Sequence, residues 1–599
     1  STRKESSAAS DVYKRQGFAC MFRPNRSAWR AHMGEVSRML MPWAIADDAV
    51  EDFLRKLDPL LNMFNRVILR SKQRELRGNL HGQVRSVEPA ITRSVVGSLG
   101  SSFASDESYS DDVRHYSLLS VVFAVLRIVG YLAPPERALY LLRLRGEADL
   151  KPTLERLQTL AVMFLDESDY IRQPTLWSLQ SIFMVHVIRL NVLDPHASAV
   201  WNSTAVRLAQ TMGIHRLGSA SMDLHRWKQA ELKVSSTSSE PGYSPLREFA
   251  PGDFARRELG RHIWYELLVM DWLAGAHVDA CFSVSETLNR TAPPCTLEDE
   301  ELYRISELPI NDRERLERWV AKHEQPTFQS IFADLARCVR DITQTGLDAL
   351  YLKGRPDLDT TSIQHFDDRM RRIVRGMPAV FQLDVPAPSL DQVSRLHIMH
   401  PRLAIQRLML HNQLHYRLMS LHRTDLARPL GDPAYASAAK ACLDAARVLF
   451  VTYQELAREQ SPINRLGFAQ SYVLHAVMIL YTIATKWSEV PSHALKAEPD
   501  AVEELKRALA LLEEAPPLAV MHRYPMISSI LAKAQDFCAA HKDRSSPSPP
   551  VESFLVLPDD SSPVPDWNIQ NLQDLDQWLT ELFPSSFSAE KSAISGIAE

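Results

Sequence analysis

Apolar positions recur along most of this chain with a period near 3.6, the spacing that lines them up on one face of an α-helix. After Pro42, Ala46 and Asp47 lead into Val50, Phe53, Leu54, Leu57, Leu60, Leu61 and Phe64, and the acidic start suits a helix N-terminus. On this pattern residues 17–85 hold two or three helices. Residues 97–111, rich in Ser, Gly and Asp, read as a loop, and helices follow in close succession over 112–217. A polar insertion at 218–252 contains SSTSSEPGYSP, a composition too poor in apolar residues to bury itself. Helices resume near 253. A Pro-containing stretch from Met377 to Ser389 precedes a further helical group over 390–541. Neither a series of short alternating β-branched runs nor a fixed repeat is present. The predicted fold class is therefore all-α, a large irregular helical array. Two apolar runs, Tyr116–Leu126 and Tyr472–Thr485, are too short to cross a bilayer and read as buried helices.

The last sixty residues follow a different pattern. Residues 543–565 are rich in Ser, Pro and Asp, the composition of a disordered linker. The segment after it, DWNIQNLQDLDQWLTELF over 566–583, is a C-terminal amphipathic helix. Leu572, Leu575, Trp578, Leu579, Leu582 and Phe583 form one apolar stripe, preceded by Trp567, while Asp566, Asp574, Asp576 and Glu581 keep the segment soluble. Such a stripe fits the hydrophobic groove of a partner; the competing reading is a helix that docks back on its own domain.

Composition narrows the class. A hydrophobic fraction of 45% with 24% charged residues is globular, and a net charge of −5 lacks the basic excess of a compact nucleic-acid clamp. The six cysteines are scattered without a C-x-x-C pair, which in so long a chain reads as reduced thiols. Residues 1–16, STRKESSAASDVYKRQ, have no apolar period and read as a cloning or assembly scar.

Four motifs carry a resemblance. Thr204–Arg216 reads TAVRLAQTMGIHR, with Arg207, Gly213, His215 and Arg216 at its fixed points, and Gly213 fits a left-handed helix stop. Arg256–Ala274 reads RRELGRHIWYELLVMDWLA, with Arg261, Trp264 and Asp271 at motif positions. Leu410–Arg423 reads LHNQLHYRLMSLHR and ends on His422 and Arg423; Cys442–Leu449 reads CLDAARVL and begins on Cys442. In this order they resemble the fungal-specific transcription factor domain, the middle homology region of zinc-cluster and zinc-finger regulators, over residues 40–490. Met212, Ile214, Tyr265 and Trp272 depart from the family pattern, and Arg423 lacks the Pro that follows it there.

The resemblance implies a nuclear regulator of RNA polymerase II transcription. With the composition breaks above, the chain divides into a regulatory domain at 17–385, a C-terminal helical part of the same region at 386–542, and the linker and tail at 543–599. It implies that DNA is contacted through an N-terminal zinc module, which this chain cannot build: Cys20 stands alone near the start, and zinc needs four clustered ligands, or six thiolates for two ions. No cofactor is expected in the chain itself. In this setting the tail reads as an activation element for a transcriptional coactivator. A homodimer and a small-molecule effector stay open as partners; a membrane is not expected.

Other features admit plainer readings. His411 and His415 share a helix face, but H-N-Q-L-H lacks the Glu of a zinc hydrolase, so they read as packed histidines, with His397, His400 and His422. Asp47, Asp48 and Glu51 spell D-D-x-x-E, a pattern of helical metal-dependent enzymes, without a second metal motif. That enzyme, or a helical adaptor or corepressor without DNA binding, is the alternative function. Arg70, Lys72, Arg74 and Arg77 make a locally basic stretch, either a solvated helix face or an import or phosphate-binding patch.

Overall fold

The computed structural model describes residues 43–61, 63–87, 106–191, 195–226, 253–275, 282–295, 299–306, 326–353, 358–383, 401–429, 432–458, 467–488, 501–513 and 525–540, with Leu40, Phe249, Arg318 and nothing beyond. Among these residues 85% are helical, none is in a strand, and seventeen α-helices alternate with short connections. The chain is all-α.

The first helix, α1 (Trp43–Lys56), buries Ala46, Ala49, Val50, Phe53 and Leu54, the face set by the 3.6 period. The short α2 (Asp58–Leu61) follows, and the Asp58 carboxylate turns the chain by accepting the N–H groups of Met63 and Phe64 at 3.2 and 3.1 Å. Phe64 then meets Phe53 edge to face, centroids 5.2 Å apart. α3 (Arg66–Val87) carries the basic stretch.

α4 spans Asp106–Leu132, so residues 106–111 are helical and not the predicted loop. Their Ser and Asp content misled; acidic residues in a first turn favour a helix by interacting with its dipole. From Leu118 to Val129 α4 is buried on nearly every side, because α1, α6 (Leu150–Glu167) and α7 (Leu176–Asn191) pack around it. Such a helix needs small polar residues at close contacts: Ser120 donates to Ala161 O at 2.6 Å, within reach of Ser181. α5 (Pro135–Leu142) crosses near Gly130, where a Cβ would sit 2.8 Å from Leu142 Cδ1.

α8 (Pro195–Thr211), α9 (Phe254–Gly275), α11 (Phe328–Lys353) and α12 (Thr360–Gly376) complete one large apolar cluster, while Leu302 of α10 (Asp299–Ser306) joins a small one with Phe254 and Cys295. α14 (Pro433–Arg458), α15 (Gly467–Ser488), α16 (Ala501–Glu513) and α17 (Pro525–Ala540) build a second. α13 (Pro401–His422) belongs to both: Leu410, Leu414 and Leu418 face the first, Tyr416 and Met419 the second. The two apolar runs noted above lie in α4 and α15, and no described helix is long and apolar enough to cross a membrane.

Candidate functional site

The first two motifs converge on one piece of irregular backbone, the strap 282–295. α8 stops where Gly213 turns left-handed, φ 79°, a conformation that costs a side-chain-bearing residue energy. Ile214 folds back and is fully buried, and residues 214–216 form a 3₁₀ turn. The carbonyl of His215 accepts from Arg290 N at 2.8 Å, that of Gly218 from Ala292 N at 3.2 Å. Thr291 Oγ1 donates to Ile214 O and accepts from Leu217 N.

α9 fastens the same strap from its other side. Trp264, 1% exposed, donates its indole N–H to Asn289 Oδ1 at 3.0 Å, and its ring lies 5.8 Å from that of His215. The Asp271 carboxylate accepts from Ser283 N and Val284 N, each at 2.8 Å. Burial pushes that carboxyl up to about 6, against the pull of its backbone donors. Trp272 donates to Val284 O at 3.3 Å, and Arg340 of α11 lies 4.5 Å above its ring. A segment without regular structure must find partners for its N–H and C=O groups when buried; here the motif side chains supply them.

Beneath the turn lies a buried ion network. Arg257 and Arg261 of α9 both reach Asp223, Arg257 at 2.5 Å, and Arg261 also pairs with Glu258 at 2.7 Å. Glu258 in turn accepts from Cys295 N, and the two guanidiniums also donate to the carbonyls of Phe249, Leu217 and Gly218. Arg226 lies 3.9 Å from the same Asp223 carboxylate, so three arginines gather around Asp223 and Glu258. Asp223 sits on a helical turn at 220–226, whose Ala220 and Leu224 are buried against Phe254 and Ala255. The predicted polar insertion therefore gives up residues 218–226 to the core; residues 227–248 lie outside the described part. Composition pointed the wrong way because one Asp, two Ser and an Arg outweighed two anchors.

The third and fourth motifs pack α13 against its neighbours. His411 Nε2 lies 2.8 Å from Phe381 O and His415 Nδ1 lies 2.8 Å from His411 O, with the two rings stacked. Burial pulls His411 down to about 4 and His415 to about 3. Among the described residues no group of three His, Cys, Asp or Glu could hold a metal ion. Both imidazoles should therefore stay neutral: their Cε1 resonances should not move between pH 7.5 and 5.5, and a midpoint near 6.5 would contradict this packing. His422 meets Asp367 of α12 at 2.8 Å, and Arg423 opens a 3₁₀ turn directly after α13. Cys442 is fully buried under Met419, its thiol pushed well up by burial.

Two features read separately in the sequence meet in space. Arg70 makes two hydrogen bonds to Glu51, at 2.6 and 2.7 Å, and the Arg70 bonds hold that carboxyl below its usual range. Asp47 accepts from Gln73 at 2.8 Å and lies 3.8 Å from Arg77; Asp48 accepts from Tyr140 at 3.2 Å. Lys72 pairs with Glu75 within α3, and Arg74 donates to Arg70 O. The acidic and basic faces thus cover one another in part.

Arg207 and Arg216 are exposed; Arg207 touches only Gln210, at 3.1 Å, among the described residues. The tail residues Trp567, Leu572, Leu575, Trp578, Leu579, Leu582 and Phe583 lie outside the described part. Sequence reasoning missed Asp223, Glu258, Asn289 and Thr291. Glu258 had a signal, its i,i+3 spacing to Arg261; the main partners of the others lie across long loops, although Asn289 also accepts from Thr291 N and Asp223 also faces Arg226.

No family model matches the chain. It is similar to the probable transcription factor lepB of Aspergillus flavus, 23% identical over 352 residues that make up 56% of this chain and 57% of that protein. It is also similar to the agnestins biosynthesis cluster transcription factor AgnL11 of Paecilomyces divaricatus, 23% identical over 470 residues, 75% of this chain and 60% of that protein. The chain spans about 60% of the length of these curated relatives. The likeness is to two proteins named as fungal transcription factors.

Proposed function

We propose that this chain is the regulatory, middle-homology region of a fungal nuclear transcription factor that controls RNA polymerase II transcription. DNA would be contacted through a zinc module outside these residues, and the tail at 566–583 would engage a coactivator. The observation that carries the reading is the strap: His215, Trp264 and Asp271, motif residues chosen from the sequence alone, bond residues of 282–295, and Gly213 and Arg261 hold the turn at 213–218 to which that strap is bonded. The likeness to two fungal transcription factors supports it independently. The enzyme alternative loses its main support, since Asp47, Asp48 and Glu51 serve as partners for α3 and Tyr140.

The test has two parts. The whole chain, tethered to an unrelated DNA-binding domain, should change transcription of a reporter, and a fluorescent fusion should enter the nucleus. A cytoplasmic fusion with an unaltered reporter would sink the proposal. Residues 543–599, tethered alone, should activate. Replacing Trp578 and Phe583 by Ala should remove most of that output, because the apolar stripe makes the contact, whereas Asp574→Asn with Asp576→Asn should weaken it less.

A further inference from the structure

The side of α9 that meets α11 carries a carboxyl in a site closed to water. Glu266 is 3% exposed, and among the described residues its one hydrogen bond comes from the amide of Gln329, at 2.9 Å, with no cation paired to it. Gln329 is itself buried in the first turn of α11, and its orientation is fixed. Its amide also donates to His262 O at 3.2 Å, and its oxygen bonds the His262 ring. Turning the amide over would break these bonds. α7, α8, α10 and the turn at 214–216 also pack on α9, and among the described residues none of them brings a charge that acts on Glu266. The charge that does act on it is like in sign, that of Asp58 in α2. Asp58 is fully buried. One of its carboxylate oxygens takes the Met63 and Phe64 N–H groups; the other has no hydrogen bond and lies 4.0 Å from Arg402 of α13. Arg66 of α3 also favours the ionised form of Asp58, and Asp299 of α10 opposes it.

A buried carboxylate needs a cation or several N–H donors to stay ionised. Asp271, five residues on, has two backbone donors, whereas Glu266 has one neutral amide. The N-terminus of α11 pulls toward the anion, but a helix end is worth a fraction of the cost of burying an unpaired charge. Burial accordingly holds Glu266 well above the usual carboxyl range, against the Gln329 bond and with Asp58 adding to it. Burial also pushes Asp58 up to about 6, against Arg402. We propose that the neutral carboxyl of Glu266 is a proton-held latch between α9 and α11, and that losing its proton as pH rises loosens this contact and with it the strap. The strap feels the change because both helices grip it, α9 through Trp264, Asp271 and Trp272, and α11 through Arg337 and Arg340 on Glu286. In the unfolded chain the carboxyl has its ordinary value of 4.5. Above that pH, and up to its raised value, the folded chain holds a proton that the unfolded chain has released. The folding equilibrium therefore falls by up to about tenfold per pH unit through this window and levels off beyond it.

The experiment compares the full chain with its Glu266→Gln variant between pH 5.5 and 8.5. It reads urea unfolding, and hydrogen exchange over residues 262–272 and 327–333 corrected for its intrinsic pH dependence. Gln keeps the acceptor for Gln329 and cannot ionise, while Asp58 and Asp271 titrate in both proteins and cancel in the difference. The variant should fold, and its folding equilibrium should gain about tenfold or more on the parent's across that range. Protection of both segments should fall with rising pH, and more steeply in the parent than in the variant. Parallel pH profiles for the two proteins overturn the proposal. A variant that fails to fold also overturns it, because Gln would then be no substitute for the acid and Glu266 would be ionised in the fold. The parent alone gives a second reading: protection over α9 and α11 that does not change with pH overturns the latch whatever the variant does.

Discussion

Asp223→Ala should cost the folded chain about 3–5 kcal/mol, because it leaves two arginines without their shared carboxylate in a site closed to water. Arg257 and Arg261 are 2% and 0% exposed, so neither can turn to solvent for compensation. Arg261 keeps Glu258, but Arg257 loses its only anion among the described residues and retains the carbonyls of Phe249 and Leu217. The urea midpoint is the readout. Asp223→Asn, which keeps shape and one acceptor, should lose less. Asp223→Ala combined with Arg257→Met should recover part of the loss, since an apolar replacement removes the orphaned charge along with its partner. A single Ala variant with an unshifted midpoint would mean that the network does not hold the 220–226 turn to α9.

Trp264→Ala should cost a similar amount, about 3–5 kcal/mol, through the cavity left by a large buried ring. The ring is 1% exposed and sits within the larger apolar cluster, so nothing nearby is free to fill the space. Its indole N–H also holds Asn289, whose Oδ1 accepts a second bond from Thr291 N at 3.0 Å. Loss of the ring should therefore loosen the strap as well as the core, and proteolysis within 282–295 should accelerate. Trp264→Phe, which keeps most of the apolar volume and drops the N–H, should cost nearer 1 kcal/mol for the missing bond. Equal stability of the Ala variant and the parent would remove Trp264 from the core and undo the alignment of the second motif.

Together these substitutions probe one junction from its two sides. Asp223 fixes the turn below the strap and Trp264 fixes the strap itself.

What the sequence determined by itself follows from local physics. The apolar period fixed the helices, including α1, α9 and α13, because a residue three or four places on always lands on the same face. Gly213 announced the stop of α8, since a left-handed turn favours a residue without Cβ, and the burial of Trp264 and Leu268 followed from their spacing on α9. The tertiary structure decided the rest. Asp223 has a loose local partner in Arg226 at 3.9 Å; its close, buried pairing exists only because α9 brings Arg257 and Arg261 beneath the turn, more than thirty residues on. The same holds for Glu51 and Arg70, which the sequence offered as two unrelated charge runs and the packing of α1 beside α3 joined into one ion pair. Periodicity reports which face of a helix is buried. It carries no information about which charged residue waits on the facing element, and buried charges are stable only through that long-range pairing.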